Sequence, residues 1–324
     1  MKKFLCILIV VAVVLVCVTS VRSDNTIIVY SCMEHFRNEA LQAQLNEAFP
    51  DLDVFVMYVS TAKAAAKLSI EGPSTDADII VGLESAYMRK VENHMADVSK
   101  YSRLEYLPDM VTDNNQSLTW ERQAGSIIVN KTVLDKHNLP VPKTYEDLLN
   151  PAYKNLIAMP DPKSSGTGFF FFKNLVNVMG EDAAFDYIDK LAVNVKSFTE
   201  SGSGPVKLLI QGEIAIGLSL TFQGVNELNN GNDFLLIEPE YGSPFSITST
   251  SMLKGREDNE HIEKVFEFIV NDYMIYDKTY GSPEQVLTVQ ENGFDNYPQN
   301  IRYADMTGID DISEKERLLA KWKY

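Results

Sequence analysis

"NTIIVYSCMEHFRNEALQAQLNEAFPDLDVFVMYVS", Asn25 to Ser60, changes its hydrophobic period twice. Thr26 to Tyr30 is a short run rich in β-branched side chains, which suit a pleated strand. From Asn38 to Phe49 the residues Leu41, Leu45, Ala48 and Phe49 share one helical face, and Pro50 stops the pattern. Asp53 to Val59 reads as a second strand. "STAKAAAKLSIEG" then predicts a helix opened by Ser60-Thr61 and ended by Gly72, and "ADIIVGLES" a third strand. This βαβαβ alternation predicts an α/β fold with a parallel, doubly wound sheet and functional loops at the carboxyl ends of its strands.

The middle of the chain repeats the scheme. "AGSIIVNK" (Ala124 to Lys131) reads as a strand, "TYEDLLNPAY" as a short helix, and "NLIAMP" as a strand running into "PDPKSSGTGFFFFKNL", Pro160 to Leu175. The helix after it covers Phe169 to Met179, "EDAAFDYIDKLA" forms another, and "NVKSFTE", "SGSGPVKLLIQGE" and "IAIGLSLTFQG" give strand, turn-helix and strand. "EPEYGSPFSITSTSMLKG" is extended and turn-rich, and the chain ends in helices over "NEHIEKVFEFIVNDYMIYDKTYG" and "DISEKERLLAKWKY".

At the other end, Met1-Lys2-Lys3 is basic, Phe4 to Val18 is apolar, and Val21-Arg22-Ser23 closes on a small residue. That is the layout of a secretory signal, and the run is shorter than the roughly 20 residues of a membrane span. Cleavage is expected after Ser23; Cys17 offers a second reading as a lipidated residue. Removing Lys2, Lys3 and Arg22 moves the formal charge from −16 to −19. So acidic a surface argues against nucleic acid or anionic lipid as partner. Of three cysteines only Cys32 would remain, so no disulfide can staple the exported chain. At 324 residues, 45% hydrophobic and 23% charged, about two self-supporting domains are expected.

Enzyme motifs are absent from the sequence. There is no nucleophile elbow, Walker loop, dinucleotide fingerprint or H-E-x-x-H, and the four histidines do not pair at metal spacing. Several strands instead end in Ser/Thr/Gly turns that lead into helices: Ser31-Cys32, Ser60-Thr61, Gly82 to Ser85, Ser164 to Gly168 and Ser201 to Gly204. Such a turn can be a simple cap, or it can offer unpaired N–H groups and a positive dipole end to an oxyanion. Their recurrence in corresponding places of two α/β units favours the second use.

"YEDLLNPAYKN", "A-x-P-DP-x-x-SGTG" and "QGEIAIGL", with "VYS" before them and "TSMLKG" after, resemble bacterial extracellular solute-binding proteins of ABC importers. The resemblance is to the cluster that includes ferric-iron, phosphonate and sugar-phosphate binders, and it covers nearly the whole chain after the signal. It implies a type 2 periplasmic-binding-protein fold, two α/β lobes joined by two crossing strands and closing on a cleft by a hinge. Lobe one would hold 24–126 and 238–324, and lobe two 127–237. The role implied is a monomeric receptor without cofactor or chemistry that delivers a small solute to a membrane permease.

The resemblance also points to the ligand. Ferric-binding relatives carry adjacent tyrosines where this chain has Thr221-Phe222, leaving His35, Glu84 and Tyr241 as an alternative metal set. Phosphonate and sugar-phosphate relatives hold the phosphoryl group in a turn like Ser164-Ser165-Gly166-Thr167. The expected site is therefore that turn for the anion, with Ser60, Thr61, Ser201 and Ser203 on the remainder, and Ser31, Cys32, Glu84, Thr221 and Tyr241 nearby. The runner-up is iron or a cationic solute such as thiamine or a polyamine, which the acidic composition would suit.

Overall fold

β1 (Thr26–Ser31) and β2 (Asp53–Tyr58) run parallel, Thr26 against Asp53 through Ser31 against Tyr58, with α1 (His35–Ala48) as the crossover. The computed structural model describes residues 25–324; the expected signal, with Cys17 and the cut after Ser23, lies outside them. α2 (Thr61–Glu71) leads into β3 (Ile79–Glu84), parallel to β1 on its other side, and α3 (Ser85–Val91) follows.

The next strand is the one the sequence pattern understated. β4 runs Leu118–Asn130, 13 residues, and not only from Ala124. Its first half looks polar, yet Glu121 and Arg122 are buried because both have charged partners. After β4 come α4 (Lys131–Lys136), β5 (Ile157–Pro160), α5 (Gly166–Met179), α6 (Glu181–Ala192), β6 (Val195–Thr199), α7 (Gly204–Ile210), β7 (Ile216–Leu220), α8 (Thr221–Asn229), β8 (Phe234–Ile237) and β9 (Phe245–Met252). β5 pairs parallel with β6 and β7.

β4 belongs to both halves. Leu118 to Ala124 pair antiparallel with β9, which continues to β3, whereas Gly125 to Asn130 pair with β7 and β8. The strand order is β2-β1-β3-β9-β4-β7-β5-β6, with β8 beside β4. Gly125 marks the changeover: a Cβ there would sit 2.6 Å from the rings of both Phe170 and Phe171.

Each half has its own core. Ile27, Val29, Ile79 and Val81 pack with Leu41, Leu45, Phe266 and Tyr273 on one side. Ile127, Ile157, Met159 and Ile216 pack with Phe169 to Phe172 and Leu191 on the other. All four consecutive phenylalanines are buried, each worth about 1.5–3 kcal/mol of transfer free energy, so the block is wholly structural.

α9 (Glu260–Phe268) and α10 (Met274–Tyr280) cover the first core. The tail within 238–324 also reaches the second core. Tyr297, Met306, Leu318 and Trp322 enter the second core, and Trp322 packs 5.3 Å from Phe172 and 5.5 Å from Phe198. The same helix, α11 (Ile312–Lys321), places Lys315 over Tyr87 of α3, so it straps both halves. "DISEKERLLAKWKY" has too few apolar residues for its pattern to name the core they enter.

Candidate functional site

The carboxyl ends of the parallel strands in the two halves face one another. Between them lies a cavity of about 50 Å3, walled by Cys32 and Glu34 after β1, Tyr58, Ser60 and Thr61 after β2, and Glu84 ending β3. Across it stand Ser164, Ser165, Gly166 and Thr167 after β5 and Glu200, Ser201 and Gly202 after β6, with Gln123 of β4 and Thr248 of β9 between. One water needs about 10–15 Å3 by this measure, so the space fits a few waters or one oxyanion head.

Two long helices begin in this wall with their starts left open. α2 has Ser60 as N-cap and α5 has Ser165, and neither side chain caps its helix. Ser60 is 6% exposed, yet among the described residues its hydroxyl has no hydrogen-bond partner; Oε1 of Glu84 and Oγ1 of Thr248 share that condition. A buried polar atom left unpaired costs about 1–3 kcal/mol, so three around one cavity point to a guest that pairs them. The surrounding loops are tied to each other. Ser164 Oγ donates to the Glu200 carbonyl at 2.9 Å, and the Ser201 and Ser203 hydroxyls are 3.1 Å apart. Gly168 lets α5 start hard against β5, where any side chain would run into the Pro160 carbonyl.

The carboxylates of the wall are supported from behind. Glu84 pairs with Lys315, whose ammonium is buried over the rings of Tyr87 (4.1 Å) and Phe169 (4.3 Å), and burial pushes its pKa down. Arg37 lies 2.9 Å from Glu34, 2.9 Å from Glu121 and 2.6 Å from Asp277, and Lys278 is 3.1 Å from Asp277. This buried cluster holds three acids and two bases, and burial pushes the Glu34 carboxyl up despite the Arg37 charge. Burial likewise pushes the Cys32 thiol up to about 12, so it is no nucleophile at neutral pH. The arrangement can bind; it lacks an activated group.

Residues 75–296 match the family described as bacterial extracellular solute-binding protein. The chain belongs to that family. Its members bind solutes and are not enzymes, and the family is an exported one. The fold agrees. A periplasmic binding protein, AfuA of Actinobacillus pleuropneumoniae with exogenous fructose-6-phosphate bound, superposes with a TM-score of 0.80 at 20% identity, covering 92% of this chain and 97% of that one. A periplasmic thiamin binding protein matches at 0.75 and 17%, covering 92% and 95%. The apo ferric ion-binding protein A of Pasteurella haemolytica matches at 0.71 and 15%, covering 91% and 96%. An uncharacterized protein of Haemophilus influenzae is 34% identical over 115 residues, 36% of this chain, which spans 33% of that relative's length.

Within this solute-binding fold the expected residues divide. Cys32, Ser60, Thr61, Glu84, Ser164, Ser165, Gly166, Thr167 and Ser201 line the cavity. Ser31 does not, because as the last residue of β1 it points inward and its Oγ accepts from the Met33 N–H at 3.2 Å. Thr221 is buried at the start of α8, its hydroxyl 2.7 Å from that of Ser126. Tyr241 is exposed and stacks on Tyr145, outside the cavity. Ser203 and His35 line an adjoining space instead, where His35 meets Glu39 at 3.3 Å. His35, Glu84 and Tyr241 therefore do not converge, and among the described residues no group of three or more His, Cys, Asp or Glu gathers for a metal. Sequence reasoning missed Glu34, Tyr58, Gln123, Glu200, Thr248 and Lys315. Gln123 and Thr248 were within reach, since they lie on the two crossing strands that any interlobe cleft must touch.

Proposed function

We propose that the chain captures a small phosphorylated or phosphonate solute between two lobes, 25–126 with 238–324 and 127–237, and hands it to the permease of an ABC importer. The observation that carries this is the pair of facing helix starts, α2 and α5, whose serines leave their helices uncapped across a cavity sized for an oxyanion. Lys315 neutralises Glu84, so the wall is less hostile to an anion than the charge of −16 suggests. The protein acts as an exported monomer, starting at Asp24 after cleavage behind Ser23 or at a lipidated Cys17, with neither nucleic acid nor cofactor as partner.

A second reading, a cationic solute such as thiamine or a polyamine, draws on the one acid left over in the Glu34 cluster. Thermal unfolding with phosphate, 2-aminoethylphosphonate, hexose phosphates, ferric citrate, thiamine and spermidine separates the two. At 100 times its Kd a ligand adds about 2.7 kcal/mol. The expected result is a shift with phosphoryl compounds that Ser60→Ala with Thr167→Val removes. A shift confined to thiamine or spermidine would overturn it.

A further inference from the structure

Beside the oxyanion cavity, between α1, α7 and α8, lies a second and larger one of about 290 Å3. Its walls include Phe36, Val206, Ile210 and Phe222, and its polar groups include Gln223 and Glu34 beside Glu39, Glu227 and Lys207. Three facts set it apart from a surface dent. Phe36 and Ile210 come from opposite halves and stay 43% and 47% exposed, which large apolar side chains around a functional hollow do. Gln223 is only 7% exposed, and among the described residues neither atom of its amide finds a hydrogen-bond partner. Glu34 lines both cavities, and the Ser201 and Ser203 hydroxyls, one in each wall, are 3.1 Å apart.

Resting on the phosphoryl reading above, we infer that this is the second compartment of one binding site, and that the solute is a phosphate or phosphonate ester carrying a flat apolar group and an amine. The sizes decide the division of labour. The first cavity has no room beyond the oxyanion head, so the rest of any larger solute must leave it, and Glu34 marks the shared edge. A ring passing that edge would lie between Phe36 and Ile210, removing apolar surface from water. The Gln223 amide, with one donor and one acceptor face, reads a polar substituent on the ring. The cluster that Glu34 belongs to holds three acids and two bases, and Glu39 and Glu227 add to the acids of this wall, so an ammonium completes the balance.

Calorimetry on the full chain tests this with four probes: inorganic phosphate, phenyl phosphate, tyramine O-phosphate, and tyramine without phosphate. Phenyl phosphate should bind about tenfold tighter than inorganic phosphate, and tyramine O-phosphate about tenfold tighter again. Phe36→Ser with Ile210→Ser, two exposed positions, should bring the phenyl-to-inorganic ratio close to one. Glu34→Gln should abolish the increment from the amine while keeping that from the ring. Equal affinities for inorganic, phenyl and tyramine phosphates would overturn the second compartment and leave the oxyanion cavity standing. Binding of tyramine with no gain from its phosphate would overturn the oxyanion reading, and the two-part solute with it.

Discussion

Helices in this protein begin in two ways. Away from the cleft, α4, α9 and α11 start at Asn130, Asn259 and Asp311, whose side-chain oxygens accept from backbone N–H groups one turn ahead. At the cleft, α2 and α5 start at Ser60 and Ser165, residue types equally able to cap, and neither does so. The difference teaches that a capping residue in sequence marks a helix start without saying who will use its oxygen. Periphery spends these groups on stability; the cleft keeps them for a guest.

The comparison extends to charge, where the largest effect is expected. The wall leaves the Ser60 and Thr248 hydroxyls and Oε1 of Glu84 unmatched, but Lys315 holds the other Glu84 oxygen from behind. Lys315→Met should therefore lower the free energy of unfolding by about 3–5 kcal/mol, read by urea titration, and adding Glu84→Gln should restore most of it. A loss below about 1 kcal/mol would mean the cleft charges need no such support.

The buried carboxyl of Glu284 gives the next effect. Burial lifts the Glu284 carboxyl to about 7, against the pull of the Tyr303 and Tyr297 hydroxyls, each donating at 2.9 Å, and of Arg122. Unfolded, the group titrates near 4.5, so between about pH 4.5 and 7 the folded chain keeps a proton that the unfolded chain has released. Its contribution to stability thus falls as pH rises through that window and stays low above it. Glu284→Gln should flatten the slope, matching the parent at pH 4 and exceeding it by up to about 3 kcal/mol at pH 8. Parallel profiles would refute the shift.

The smallest effects address the helix starts themselves. Asp311→Ala should cost about 1 kcal/mol with solute affinity unchanged, while Ser60→Ala should cost almost nothing in stability and weaken solute binding. The reverse pattern would erase the distinction between the two regions.

Much of this was legible in the sequence. The period changes over Asn25 to Ser60 placed β1, α1 and β2 within a few residues, and the Ser/Thr/Gly turns located most of the cavity wall. What escaped depended on tertiary partners. The first half of β4 reads as polar until Arg37 and Asp109 are brought to Glu121 and Arg122. Lys315 is separated by more than two hundred residues from the Glu84 it neutralises, and no local pattern links them. Thr221 looked available because its partner Ser126 lies far away in sequence, on β4.

β4 is one uninterrupted backbone gripped by β9 at one end and by β7 and β8 at the other. Such a strand works as a leaf spring rather than a door hinge. Were the angle between the two halves to change, small torsional strains would spread along the residues around Gly125, with an elastic energy growing roughly as the square of the bend. Solute affinity is then whatever the contacts provide less this stiffness, so a softer or stiffer residue at the changeover would retune binding without touching the solute at all.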